Sequence, residues 1–168
     1  MSAPAYLLSL LSRQRQLLGA RFFERYRSDW LVWEPGAGRP ARSMFTSNSE
    51  VTHQPSGGAP ARPEGEDAMC FELKQVAGAS LSVGRATEND IVVNDLSVSR
   101  DQFVLQFDGH RWLVRARGTP VSVDGVAVDE AGAPVKNGSI VAAGDVRLTF
   151  YGPEGLPERL EQEAAKHR

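Results

Sequence analysis

Between residues 68 and 152, apolar and polar positions alternate in short runs. Phe71 and Leu73 alternate with Glu72 and Lys74, and Leu81 and Val83 with Ser80 and Ser82. Phe103, Leu105 and Phe107 alternate with Gln102 and Gln106, and Val146, Leu148 and Phe150 with Arg147 and Thr149. Successive strand side chains point to opposite faces, so this period of two predicts half-buried β-strands. Ile91-Val92-Val93 and Trp112-Leu113-Val114 are short buried runs. Asp108-Gly109 and Asn137-Gly138 mark turns. Asp124-Gly125 stands between Val121/Val123 and Val126/Val128, the pattern of a hairpin whose two turn residues need positive φ. Many short strands with turn signals this close together, and no helical segment between them, predict an all-β antiparallel sandwich.

Upstream the period changes. In 5–26, Leu7, Leu11, Leu18 and Phe22 are spaced by four or seven with Leu8 beside them, which predicts an amphipathic helix. Pro4 suits its first turn and Ser2 its cap. The apolar run Trp30-Leu31-Val32-Trp33 follows and ends at Pro35-Gly36. The apolar face of this 1–34 segment either packs on the same chain or docks a partner, a second copy or a membrane surface, because a helix this short is not stable alone. Residues 35–67 are rich in Gly, Pro, Ser and Ala with isolated apolar positions, the composition of a flexible linker. The 153–168 end is charged and helical by pattern, with Glu158, Glu161 and Glu163 ahead of Lys166 and Arg168, as the helix dipole favours. It reads as a solvated extension.

The 168 residues allow one domain with extensions. With 19 basic and 21 acidic residues the net charge is −2, which lacks the overall basic field of a nucleic-acid binder. Cys70 is the one cysteine, so no internal disulfide or cysteine metal cluster can form. No apolar run reaches the length of a membrane span. At the N-terminus the leucines precede Arg13 and Arg15, the reverse of a secretory signal, and a cytoplasmic location is expected. The Ala/Gly/Arg-rich composition suggests a bacterial source. His53, His110 and His167 stand in no metal-ligand spacing, and no nucleophile–base constellation or phosphate-cradling Gly-rich loop is present, so neither an enzyme nor a cofactor or metal site is expected.

Three islands in the β region carry a resemblance. Val83-Gly84-Arg85 is followed by Asn89-Asp90-Ile91-Val92-Val93. Ser97-Val98-Ser99-Arg100 leads into Phe103-Val104-Leu105. Val123-Asp124-Gly125 is followed by Asn137-Gly138-Ser139-Ile140 and Ala143-Gly144-Asp145-Val146. In order and spacing they resemble a forkhead-associated (FHA) domain over about half of the chain. The resemblance implies a β-sandwich that binds phosphothreonine peptides through loops at one end, with Arg85, Ser99 and Arg100 as the phosphopeptide-binding residues. The chemistry suits the task. A guanidinium offers a phosphate two parallel charged bonds, and a serine hydroxyl adds a third.

Two positions depart from the family pattern. Gln102 stands where the family has a histidine that braces the binding loop, and it can both donate and accept. The 115–121 stretch is shorter than the family's and lacks the asparagine that clamps the peptide backbone, leaving Arg117 and Thr119 as candidate rim contacts. The implied function is a phosphothreonine-reading adaptor or signalling module whose partner is a phosphothreonine protein, either a Ser/Thr kinase or its substrate. The alternative is a degenerate FHA scaffold that binds proteins without phosphate, with the N-terminal helix as docking element and route to a homo-oligomer.

Overall fold

The computed structural model describes residues 3–34, 67–129 and 131–166. In chain order, β1 is Ala5–Leu7, α1 Leu8–Leu18, α2 Arg21–Arg25, β2 Asp29–Trp33, β3 Met69–Leu73, β4 Ser80–Gly84, β5 Ile91–Val92 and β6 Phe103–Phe107. Then come β7 Trp112–Ala116, β8 Ser122–Val123, β9 Val126–Ala127, β10 Ala133–Val135, β11 Ile140–Ala143, β12 Val146–Tyr151 and, as α3, the helix Gly155–Lys166. The strands form two sheets, one in the order β1-β3-β2-β12-β11-β8-β9 and one in the order β10-β7-β6-β4-β5. Pairing is antiparallel throughout except between β4 and β5, which run parallel. The expected β-sandwich is therefore what the chain forms, and Asp124 and Gly125 take the positive φ values, 52° and 84°, that the β8–β9 hairpin requires.

Between the sheets lie Leu31, Trp33, Phe71 and Leu73 from one side and Val83, Phe103, Leu105, Trp112 and Val114 from the other. The indole Nε1 of Trp112 crosses this layer to donate to Asp29 Oδ2 at 2.8 Å, and Gln75 Nε2 donates to the same oxygen at 2.8 Å. Asp29 is 6% exposed, and burial pushes its carboxyl above the usual range against the pull of those two bonds.

Three expectations are corrected by the structure. The Trp30–Trp33 run, read as part of a helical segment, belongs to a strand, β2, which fills the slot between β3 and β12 with Trp33 opposite both Met69 and Leu148. The helix expected over 5–26 is divided into edge strand β1, α1 and α2. Ser2, expected as its cap, lies outside the described residues, and Pro4 precedes β1 rather than opening the helix; at the start of α1 the Asp67 carboxylate accepts from Ser9 N at 3.0 Å and Ser9 Oγ at 2.7 Å. The C-terminal end is not a solvated tail. α3 buries Leu156 and Leu160 against Leu8, Leu11, Phe22, Tyr26, Trp30, Val32 and Cys70, a second core on the outer face of the larger sheet. Arg159 also grips Glu34 through two bonds, 3.1 and 2.8 Å. Of the helix face offered above to a partner or a second copy, Leu8, Leu11, Leu18 and Phe22 are thus packed from within the chain, and Leu7 stays exposed. The expected linker, Asp67 apart, lies outside the described residues.

The register fixes where that stretch begins and ends. Trp33 pairs with Leu148, close to the β11–β12 turn at Gly144-Asp145. β2 therefore leaves the sheet, and β3 re-enters it, at the end that carries this turn.

Candidate functional site

At that same end the loops following β4, β5 and β7 converge. Gly84 ends β4 with the loop after β5 pressed against it. A Cβ there would sit 2.1 Å from the carbonyl oxygen of Arg100, so only glycine allows the approach. Asn89 Nδ2 donates to that oxygen at 2.6 Å and to Ala86 O at 2.9 Å, which ties the two loops together. Backbone bonds from Arg85 N to Ser99 O and from Ala86 N to Arg100 O complete the junction.

Arg85 and Ser99 are brought together by these bonds. Arg85 Nε donates to Val98 O at 3.0 Å, which orients the half-buried guanidinium, and its terminal nitrogens make no hydrogen bond or ion pair among the described residues. The Ser99 hydroxyl is likewise without a protein partner among them, as is the exposed guanidinium of Arg100. A fork fixed at Nε, a hydroxyl beside its backbone and a second cation at the rim form a donor set without an acceptor, the chemistry that a dianionic oxyanion group satisfies.

Gln102, 1% exposed, braces the loop. Its Oε1 accepts from Ser99 N at 2.8 Å and its Nε2 donates to Pro120 O at 2.8 Å, so one amide does both tasks anticipated for it and joins the loop after β5 to the loop after β7. Arg117 N bonds to Gln102 O at 3.2 Å, which sets Arg117 at the edge of this junction, exposed, with Thr119 half-buried nearby in the chain.

Some supporting residues were not singled out from sequence. Ser97 accepts from Asp145 N at 2.8 Å and donates to Asp95 Oδ1 at 2.7 Å, while Gly144 at φ 60° would drive a Cβ to 2.1 Å from Ser97 O. The β11–β12 turn is thereby locked to the loop carrying Ser99. In the sequence Ser97 and Gly144-Asp145 stood out only as members of the islands that carry the resemblance.

Cys70 is fully buried, and burial pushes its thiol far up, which keeps it protonated and unreactive. Among the described residues no group of three His, Cys, Asp or Glu side chains is assembled that could hold a metal, and no helix is long and apolar enough to cross a membrane.

A family model described as "Inner membrane component of T3SS, cytoplasmic domain" matches residues 69–154. No curated protein matches the chain. Among solved structures, the chain is similar to Mycobacterium tuberculosis EmbR in complex with a low-affinity phosphopeptide, with 23% identity and TM-score 0.44 over 49% of this chain. It spans only 21% of that protein's chain. It is similar to the FHA domain of the CT664 protein from Chlamydia trachomatis, with 20% identity and TM-score 0.48 over 74% of this chain and 97% of that one. It is also similar to the FHA domain of an Arabidopsis thaliana hypothetical protein, with 16% identity and TM-score 0.49 over 76% and 86%.

Proposed function

Since this chain belongs to the family of T3SS inner-membrane-component cytoplasmic domains, an FHA-type domain, we propose that its loop end binds phosphothreonine in a protein partner. The observation that carries the reading is the donor set of Arg85, Ser99 and Arg100, held on a braced junction with no acceptor among the described residues. Arg85 supplies the planar fork, Ser99 a hydroxyl donor and Arg100 a cation at the rim, with Arg117 and Thr119 as rim contacts. Phosphothreonine is the product of a Ser/Thr kinase, so the partner is such a kinase or its substrate, and we assign the encounter to the bacterial cytoplasm. The chain acts by recruitment rather than by catalysis.

The test is calorimetry on the full chain with a phosphothreonine peptide library. A charge-assisted bond contributes about 1.5–3 kcal/mol, so Arg85→Ala should weaken binding at least about tenfold, and Arg85→Lys should restore only part. Phosphothreonine should be preferred to phosphoserine on the same flanks. The absence of an asparagine in 115–121 favours a second reading, a phosphate-independent scaffold. Equal binding of phosphorylated and unphosphorylated peptides, unchanged in Arg85→Ala, would establish that reading instead.

A further inference from the structure

The loop after β7 lacks a backbone clamp, but Arg117 in it and Arg115 near the end of β7 stand two positions apart, and both line a groove of about 610 Å³. The groove starts at Arg117, whose backbone is bonded to Gln102 beside the Ser99 loop, and runs down the outer face of the smaller sheet. Val104 and Ala116 contribute apolar surface and Val128 and Asp129 also line it. Arg115 sits opposite Val104 in the β6–β7 register, and its Nε donates to Gln106 Oε1, which holds the guanidinium along the groove. Arg115 and Arg117 thus set two guanidiniums along the lining, beside the carboxylate of Asp129.

We propose that this groove takes the segment flanking the phosphothreonine and selects acidic side chains in it. This rests on the phosphothreonine reading of the loop end. An extended peptide anchored by its phosphate at Arg85 and Ser99 can continue past Arg117 into the groove. There, aspartate or glutamate meets guanidinium, and an aliphatic neighbour meets Val104 and Val128. Charge complementarity of this kind adds discrimination against wrong partners more than raw affinity. It also gives the divergent loop a different way to hold a peptide, through side-chain charge in place of an amide clamp.

The experiment is calorimetry on the full chain with phosphothreonine peptides in which Asp or Glu is scanned through alanine flanks on both sides. Acidic residues at particular positions on one side should tighten binding about three- to fivefold, the range of an exposed ion pair, and the gain should shrink in high salt. Arg117→Gln should remove that gain, so that the variant binds acidic and alanine-flanked peptides equally; any loss of its rim contact is shared by both peptides and cancels in their ratio. Asp129→Asn, which keeps an oxygen for the bond now accepted from Ala131 N, should enlarge it. Phosphate-dependent binding that is indifferent to flanking acid, or an Arg117→Gln loss equal for both peptides, would overturn the groove proposal alone. An acidic preference that persists on unphosphorylated peptides and in Arg85→Ala would support the groove and overturn the phosphate reading.

Discussion

Replacing Gln102 by methionine isolates the contribution of the loop brace. The two side chains are similar in volume, so little cavity or strain is introduced, but methionine offers neither the acceptor for Ser99 N nor the donor for Pro120 O. The two losses are unequal. Pro120 is exposed and its carbonyl can turn to water, while the Ser99 amide faces a side chain that is 1% exposed. A polar group left unsatisfied in a buried place costs about 1–3 kcal/mol, and the solvated carbonyl adds little, so the total is about 1–3 kcal/mol. One to two kcal/mol is already a factor of about 5–30 in a folding equilibrium. Urea unfolding of the full chain should show the lowered midpoint, and hydrogen exchange at the Ser99 amide should quicken by about tenfold. Phosphopeptide affinity should fall with it, because the hydroxyl beside that amide is no longer held. Gln102→His, which presents one accepting and one donating nitrogen, should recover much of both. An unchanged midpoint together with unchanged Ser99 exchange in Gln102→Met would refute the bracing role.

Three further outcomes follow from other sites. Gly84→Ala places a Cβ 2.1 Å from the Arg100 carbonyl oxygen, so the junction must open; stability should drop by about 1–3 kcal/mol, as for overpacking, and phosphopeptide binding should weaken, both readable on one purified variant. The Asp29 carboxyl is raised in the fold by burial, so above the unfolded-state value, about 3.9, the folded chain holds the proton more tightly, and stability falls as pH rises through the window up to the folded value. Asp29→Asn, whose oxygen can accept from both Trp112 and Gln75, should remove that slope and be at least as stable as the parent at neutral pH in urea titrations. Cys70 should resist a thiol reagent in the native protein and react stoichiometrically once the chain is unfolded, so rapid native labelling would contradict its burial beneath the helices.

The strands that were easiest to read in the sequence have one polar face. β12 is such a case, with Val146, Leu148 and Phe150 inward and Arg147 exposed. β2 and β3 are buried at every position, because their inner residues, Leu31, Trp33 and Phe71, enter the inter-sheet core while Trp30, Val32 and Cys70 lie beneath α1, α2 and α3. Covered on both faces, β2 loses the period of two, and nothing local separates it from a buried helical turn, whereas β3 keeps the alternation of Phe71 and Leu73 with Glu72 although Glu72 too is buried. The helix of α3 was legible but its docking was hidden, for the opposite reason: Leu156 and Leu160 are two apolar residues among many charges, and only the packing against α1 and the sheet gives them somewhere to go. At the site, Arg85, Ser99 and Gln102 were legible through the resemblance of their islands to the FHA pattern, with which the chemistry of the side chains agrees. The junction of Asn89, Ser97 and Gly144 was not, since it depends on loops from distant parts of the chain meeting in space.

The position of β2 also changes what counts as one folding unit. The larger sheet is assembled from two pieces of chain, 3–34 and 67–166, and β2 is held along both edges by the second piece. A fragment beginning at residue 68 has an empty slot at the middle of its sheet, with the hydrogen-bonding edges of β3 and β12 exposed in it. The same piece supplied in trans has the complementary register already written into Asp29–Trp33. The continuity of the backbone between Glu34 and Asp67 is therefore a matter of effective concentration rather than of architecture. Closing a longer loop costs only about 0.6 kcal/mol per doubling of its length. A change in the length of chain between Glu34 and Asp67 should therefore cost the sandwich little, and both of them flank β2 and β3 at the end of the molecule where Arg85 and Ser99 stand.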